Sequence, residues 1–191
     1  MRVYCAVVSA LAWLLVACTG PQPGQTGQAA ADSTALAALL PADGQVDSCS
    51  RTGSTGYFTT QTLCEKINGG DQFYLDRGFI ACVYQTYTYP QPALTKGRDF
   101  TVMLSAMSGP DSARSIFNVS LAWSDPAEVL PGLNGRAIIT RGSWSYSCCI
   151  HQDRYFIQFQ GVAYDTTSGA RGSIRAKFGE FCGFFKEKIH R

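Results

Sequence analysis

Apolar residues recur along this chain in two rhythms, and the changes of rhythm mark its elements. Residues 79–89 (FIACVYQTYTY) and 99–106 (DFTVMLSA) are rich in aromatic and β-branched side chains and are separated by Pro90, Pro92 and Gly97, which predicts two strands. Phe100, Val102 and Leu104 fall on one face of the second, because strand side chains alternate. Ser108, Pro110 and Asp111 then open a helix whose buried stripe is Ala113, Ile116, Phe117 and Leu121. Residues 136–150 and 154–164 read as further strands joined at His151-Gln152-Asp153. Within the first, Trp144, Tyr146, Cys148 and Ile150 point one way, while Ser143, Ser145, Ser147, Cys149 and His151 point the other. Cys148 is therefore expected toward the core and Cys149 toward a more polar side. From about 169 to 189, Ile174, Phe178, Phe181, Cys182, Phe185 and Ile189 repeat at helical spacing, which predicts an amphipathic final helix.

Nearer the start, Thr59 is a candidate N-cap, with Leu63, Cys64 and Ile67 on one helical face and Asn68-Gly69-Gly70 as the stop. Residues 34–40 read as one helical turn stopped by Pro41. Strands dominate the middle, with helices set between and after hairpins. The expected fold class is α+β: an antiparallel β-sheet of about five strands with two or three amphipathic helices packed on it.

The first eighteen residues follow a different logic. An apolar run from Val3 to Ala17 stands behind Arg2 and closes on Leu15-Val16-Ala17-Cys18. A membrane span needs about 20 apolar residues, more than this run supplies. An ordinary secretory leader wants small residues in an A-x-A-like arrangement, and Leu15 takes its outer small position. The four residues resemble a bacterial lipoprotein signal. That resemblance implies cleavage before Cys18, a diacylglyceryl group on its thiol, and anchoring to the cell envelope. Thr19 resembles the residue that follows the lipid cysteine in outer-membrane sorting. Residues 19–33 (TGPQPGQTGQAAADS) lack periodicity and read as a tether, so the expected domains are signal peptide 1–17, lipidated cysteine and tether 18–40, and one globular unit 41–191.

Phe58, Thr59, Leu63, Glu65, Ile67, Asn68, Gly69, Tyr74, Leu75, Gly78 and Phe79 form a second pattern. It is similar to that of an uncharacterised family of exported bacterial proteins, a domain of unknown function. The resemblance implies an exported domain and brings no activity with it.

Composition narrows the function classes. Hydrophobic residues at 46% and aromatics at 12% mean a packed globular unit, and a formal charge of +2 gives no reason to expect nucleic acid. Residues 166–191 are the exception, with six Lys or Arg against two Glu, a balance that suits anionic lipid heads or a solvated helix face. Beyond Cys5 and Cys18 six cysteines remain: Cys49, Cys64, Cys82, Cys148, Cys149 and Cys182. An even set in an exported domain points to disulfides. Adjacent strand residues face opposite ways, so Cys148 and Cys149 take different partners. The expected pairs are Cys148 with Cys182, Cys64 with Cys82, and Cys49 with Cys149.

Chemistry-bearing constellations are few. Cys148-Cys149-Ile150-His151 lacks zinc-site spacing, and a nucleophilic thiolate there would have to stay reduced. No G-x-S-x-G elbow accompanies His151, and Glu65, Asp71 and Asp76 read as surface carboxylates near a helix end. No catalytic residue, metal or cofactor is expected. Tyr84, Tyr87 and Tyr89, before Pro90 and Pro92, are the candidate binding surface, since tyrosines offer flat apolar faces with a polar end. Strand propensity alone accounts for the same three tyrosines. The expected function is a non-enzymatic envelope lipoprotein, a binding or accessory module. Its partners would be the membrane, through the lipid, and an envelope protein or glycan. An exported enzyme with a site not legible in the sequence is the alternative.

Overall fold

The computed structural model describes residues 33–90, 98–122, 128–130, 137–141, 145–162 and 168–189. Along them run α1 (33–37), β1 (Ser50–Thr59), α2 (Leu63–Lys66), α3 (Asp71–Leu75), β2 (Phe79–Tyr89) and β3 (Arg98–Met107). Then come α4 (Pro110–Ala122), β4 (Glu128–Val129), β5 (Ala137–Arg141), β6 (Ser145–Gln152), β7 (Tyr155–Val162) and α5 (Ser168–Ile189). Every strand pair is antiparallel, and the strands form one sheet of order β1-β2-β3-β7-β6-β5-β4. The α+β class stands, with seven strands where about five were expected. The edges gain β1 and the two-residue β4, and the run 136–150 divides into β5 and β6.

Alternation gives the sheet two apolar faces, each with its own helices. On the first, Val83, Phe100, Val102, Leu104, Ile157 and Phe159 meet Ile174, Phe178, Phe181 and Phe185 of α5. Phe100 stands at the centre, edge-on to Phe181 at 4.9 Å and to Phe178 at 5.7 Å. Gly161 lets the helix come this close, since a Cβ there would sit 2.7 Å from Ile174 Cδ1. On the second face Leu63, Tyr74, Ala113, Ile116 and Phe117 cover Phe79, Cys82, Met107, Cys149 and Phe156. The predicted stripes of α4 and α5 are therefore core, although the side chain of Leu121 lies outside the described residues.

Four expectations need correction. The globular unit does not begin at 41: Leu36 is 6% and Leu40 is 2% exposed, both within the first core. Arg51 fixes their segment by donating to the carbonyls of Leu40 and Pro41, and Tyr87 Oη donates to Pro41 O. Thr59 caps no helix but ends β1, and α2 is a four-residue turn that aims Leu63 alone at the sheet. Cys64 consequently lies exposed instead of sharing a packed face with Leu63. Cys149, expected on a polar side, is 5% exposed because α4 covers that side.

The fourth correction concerns disulfide pairing. All six cysteines are free thiols in this structure. Cys148 and Cys182 do face one another, Sγ to Sγ 3.8 Å apart. Cys49 belongs to the first core and Cys149 to the second, with the sheet between them, so they cannot bond. Cys64 turns outward, its Sγ 3.8 Å from Gln61 O, while Cys82 is fully buried beneath Leu63. That pair too is pointed apart. Cys18 and the leader lie outside the described residues.

Candidate functional site

Strand phase decides which side chains the second face offers beyond its helices. Even positions of β2, odd positions of β3 and even positions of β7 share it. Antiparallel register sets them in rows: Tyr84, Met103 and Gln158, then Thr86, Thr101 and Gln160. The first row runs on to Cys149 and the second to Ser147 of β6. The rows toward the start of β2, near α4, are mostly apolar around the buried Ser105, whereas the row of Thr86, Thr101 and Gln160 is polar and reaches solvent.

Two short helices wall this polar half. Gly69, at φ +75°, turns the chain out of α2. At Gly70 the chain passes so near Ile67 that a Cβ would lie 2.7 Å from its Cγ2. The turn delivers α3, and Tyr74 then anchors the wall. Its ring packs edge-on against Phe79, and its Oη donates to Gln158 Oε1 at 3.3 Å. Burial pushes the Tyr74 phenol well above its ordinary range, so it remains a donor at any physiological pH.

The result is a cavity of about 350 Å³. Lys66, Ile67 and Tyr74 form one side, Tyr84, Thr101 and Met103 the floor, and Gln158 and Gln160 the far side. Lys66 lays its ammonium over the Tyr84 ring, Nζ 3.0 Å from the centroid. Among the described residues, no carboxylate lines the cavity. Asp99, one row further on, is engaged by Thr88 Oγ1, which also meets Thr52 Oγ1 at 2.6 Å. Carboxamides, a hydroxyl, an aromatic face and one cation can hold a polar ligand. They include no nucleophile with an adjacent base.

Tyr84 is thus the one candidate tyrosine at this surface. Tyr87 and Tyr89 are corrected to core positions, both 0% exposed, because odd residues of β2 turn to the face covered by α5. Tyr87 stacks on Phe100 at 5.8 Å and meets Phe181 edge-on at 4.9 Å. Lys66, Thr101, Gln158 and Gln160 carry no mark in the sequence, because they come from α2, β3 and β7 and meet Tyr84 only through strand register.

The Cys-His cluster makes no reactive centre. Burial, with the neighbouring Cys148 thiol adding to it, pushes Cys149 up to about 12 and keeps it protonated. His151 packs edge-on against Phe117 at 4.8 Å, beside a second cavity of about 460 Å³ lined in part by Asp111, Arg114 and Asp153. Arg114 donates to Asp111 at 2.6 Å. Glu65 and Asp76 are exposed on α2 and at the end of α3, and Asp76 accepts from Gln72 Nε2. Among the described residues, no three His, Cys, Asp or Glu side chains gather where they could hold a metal.

No protein-family model and no curated protein sequence matches the chain. Its fold is similar to the crystal structure of the extracellular domain of PknH from Mycobacterium tuberculosis. The likeness has a TM-score of 0.56 at 14% identity and covers 82% of this chain and 95% of that one.

Proposed function

We propose that this chain is an exported, lipid-anchored envelope module that binds a polar ligand in the open half of its second sheet face. The carrying observation is the cavity bounded by Lys66, Tyr84, Thr101, Gln158 and Gln160, whose described lining offers binding groups and no nucleophile beside a base. Ligand sites combine an apolar wall with a few convergent polar groups, and Ile67, Met103 and Tyr84 supply that wall here. Export is supported by the Cys18 leader and by a fold shared with a domain described as extracellular.

Two arms test this reading. Growth with labelled palmitate should label the wild-type chain and leave Cys18→Ala unlabelled; equal label on both would refute the anchor. Hydrogen exchange of the purified chain with soluble envelope fractions should give protection at β3 and β7 around Thr101 and Gln158. Gln158→Ala with Tyr84→Ala should abolish it. Protection only around His151, or from no fraction at all, would remove the binding assignment.

A further inference from the structure

We infer that the ligand of this cleft is an anionic, hydroxyl-rich molecule, a glycan unit bearing a carboxylate or a phosphate, and that Lys66 is the cation that selects it. The inference rests on the binding reading above and deepens it. Lys66 is half-buried, and its described contact is with an aromatic ring. Lysine pairs readily with carboxylates, yet among the described residues no ion pair involves Lys66. By contrast, Lys177 is held by Asp47 and Glu180 at 3.5 and 2.9 Å. A cation whose described surroundings in the cleft hold no carboxylate leaves a local positive charge uncompensated, and an anion is its complement.

The neutral groups around it set the rest of the chemistry. Gln158, Gln160 and Thr101 present amide donors, carbonyl acceptors and a hydroxyl along two adjacent strands. Sugar hydroxyls both donate and accept, and a row of amides and hydroxyls meets them without any change of protonation. A bare inorganic anion would use Lys66 and leave those groups idle. A neutral sugar would use them and leave the cation idle.

Tyr84 gives the arrangement a resting state. With no anion present, the ammonium lies on the ring, which attracts a cation more weakly than a charge-assisted hydrogen bond does. An arriving carboxylate or phosphate draws Nζ off the ring and bares the Tyr84 face to the sugar. Binding thereby exchanges one contact of Lys66 for another and adds a stacking surface.

The test uses the full chain and matched probes. Tri-galacturonate is compared with its methyl ester, which has the same length and no charge, and mannose 6-phosphate with mannose, all by titration calorimetry. The two acidic probes distinguish a uronate from a phosphate source. Either acidic probe should bind its site roughly ten- to hundredfold more tightly than its neutral partner, with affinity falling as salt rises. Lys66→Gln should erase that difference and Lys66→Arg should retain most of it. Without ligand, the Lys66 Hε protons should resonate upfield from the ring current of Tyr84, and the acidic probe or Tyr84→Leu should return them to ordinary positions. Equal affinity for acid and ester, with Lys66→Gln unaffected, would overturn the inference and leave the cleft as a site for neutral ligands. Binding of none of the four probes would overturn the assigned class, while protection by envelope fractions would still report whether the cleft binds at all.

Discussion

Cys82 and Cys149 lie under the helices of the same sheet face, on β2 and β6, with β3 and β7 between them. Three strand spacings of about 4.8 Å put them far beyond bonding distance. Burial pushes each thiol up to about 12, against an ordinary value of 9.0; at Cys82 the positive charge of Lys66 offsets a little of the rise. A thiol is neutral when protonated, so the folded chain holds these protons more tightly than the unfolded one. Their stabilisation is complete below pH ~9 and is lost as the pH climbs toward 12. Each thiol can contribute a slope of up to about 1.4 kcal/mol per pH unit across that window. Urea unfolding at pH 8, 9.5 and 10.5 should show a falling stability, and Cys82→Ala should remove its share of the slope. An identical slope in the variant would mean that the Cys82 thiol is not the titrating group.

At the scale of elements, the contact between α5 and β6 is where two of the six described cysteines are poised to bond. Cys148 and Cys182 belong to the first core, their sulfurs 3.8 Å apart although 34 residues separate them in sequence, with β7 between their elements. Mild oxidation of the purified chain should join these two and leave Cys49, Cys64, Cys82 and Cys149 as thiols, as read by non-reducing peptide mapping. Closing that loop should add roughly 3–4 kcal/mol. A map dominated by any other intramolecular pair would contradict the arrangement of the two cores. The same contact marks how far the chain could be read unaided. The α5 stripe and the strand from Phe79 to Tyr89 repeat strongly enough to be placed to within a residue or so. The edge strand β1 was missed because SRTGSTGYFT alternates poorly, with Gly53 and Gly56 interrupting it. Its bulge between Thr52 and Gly56 is instead filled from outside, by the buried Gln85 donating to Thr52 O and accepting from Thr55 Oγ1. A polar residue satisfied across strands leaves no local trace. The candidate site was hidden in the same way. Tyr84 was visible, but its partners come from α2, β3 and β7, and only the register of folded strands lines them up.

The molecule as a whole has two ends along β2, and they differ in character. At the end near Ile80, a groove of about 220 Å³ is lined by Ala35, Leu36 and Leu39 with Ile80, Arg154 and Tyr155. This is where the described chain begins, and Ile80 is 45% exposed there. At the other end stand Thr86, Thr88, Thr101 and Gln160, the open polar side of the cleft. Eight residues of strand separate Ile80 from Thr88, roughly 27 Å at strand rise. If the lipid that we propose at Cys18 holds this end of the domain toward the bilayer, the cleft faces away from it. A ligand then reaches Tyr84 and Gln160 from the aqueous side without crossing the headgroups. Paramagnetic relaxation checks this orientation, since it falls steeply with distance. In nanodiscs carrying gadolinium on a fraction of the headgroups, amides near Ile80, Arg154 and Tyr155 should be attenuated more than those near Thr88, Thr101 and Gln160. The Cys18→Ala chain mixed with the same nanodiscs should show no such gradient. The reverse gradient in the lipidated chain would place the cleft against the membrane, and its ligand would then have to be part of the lipid surface itself.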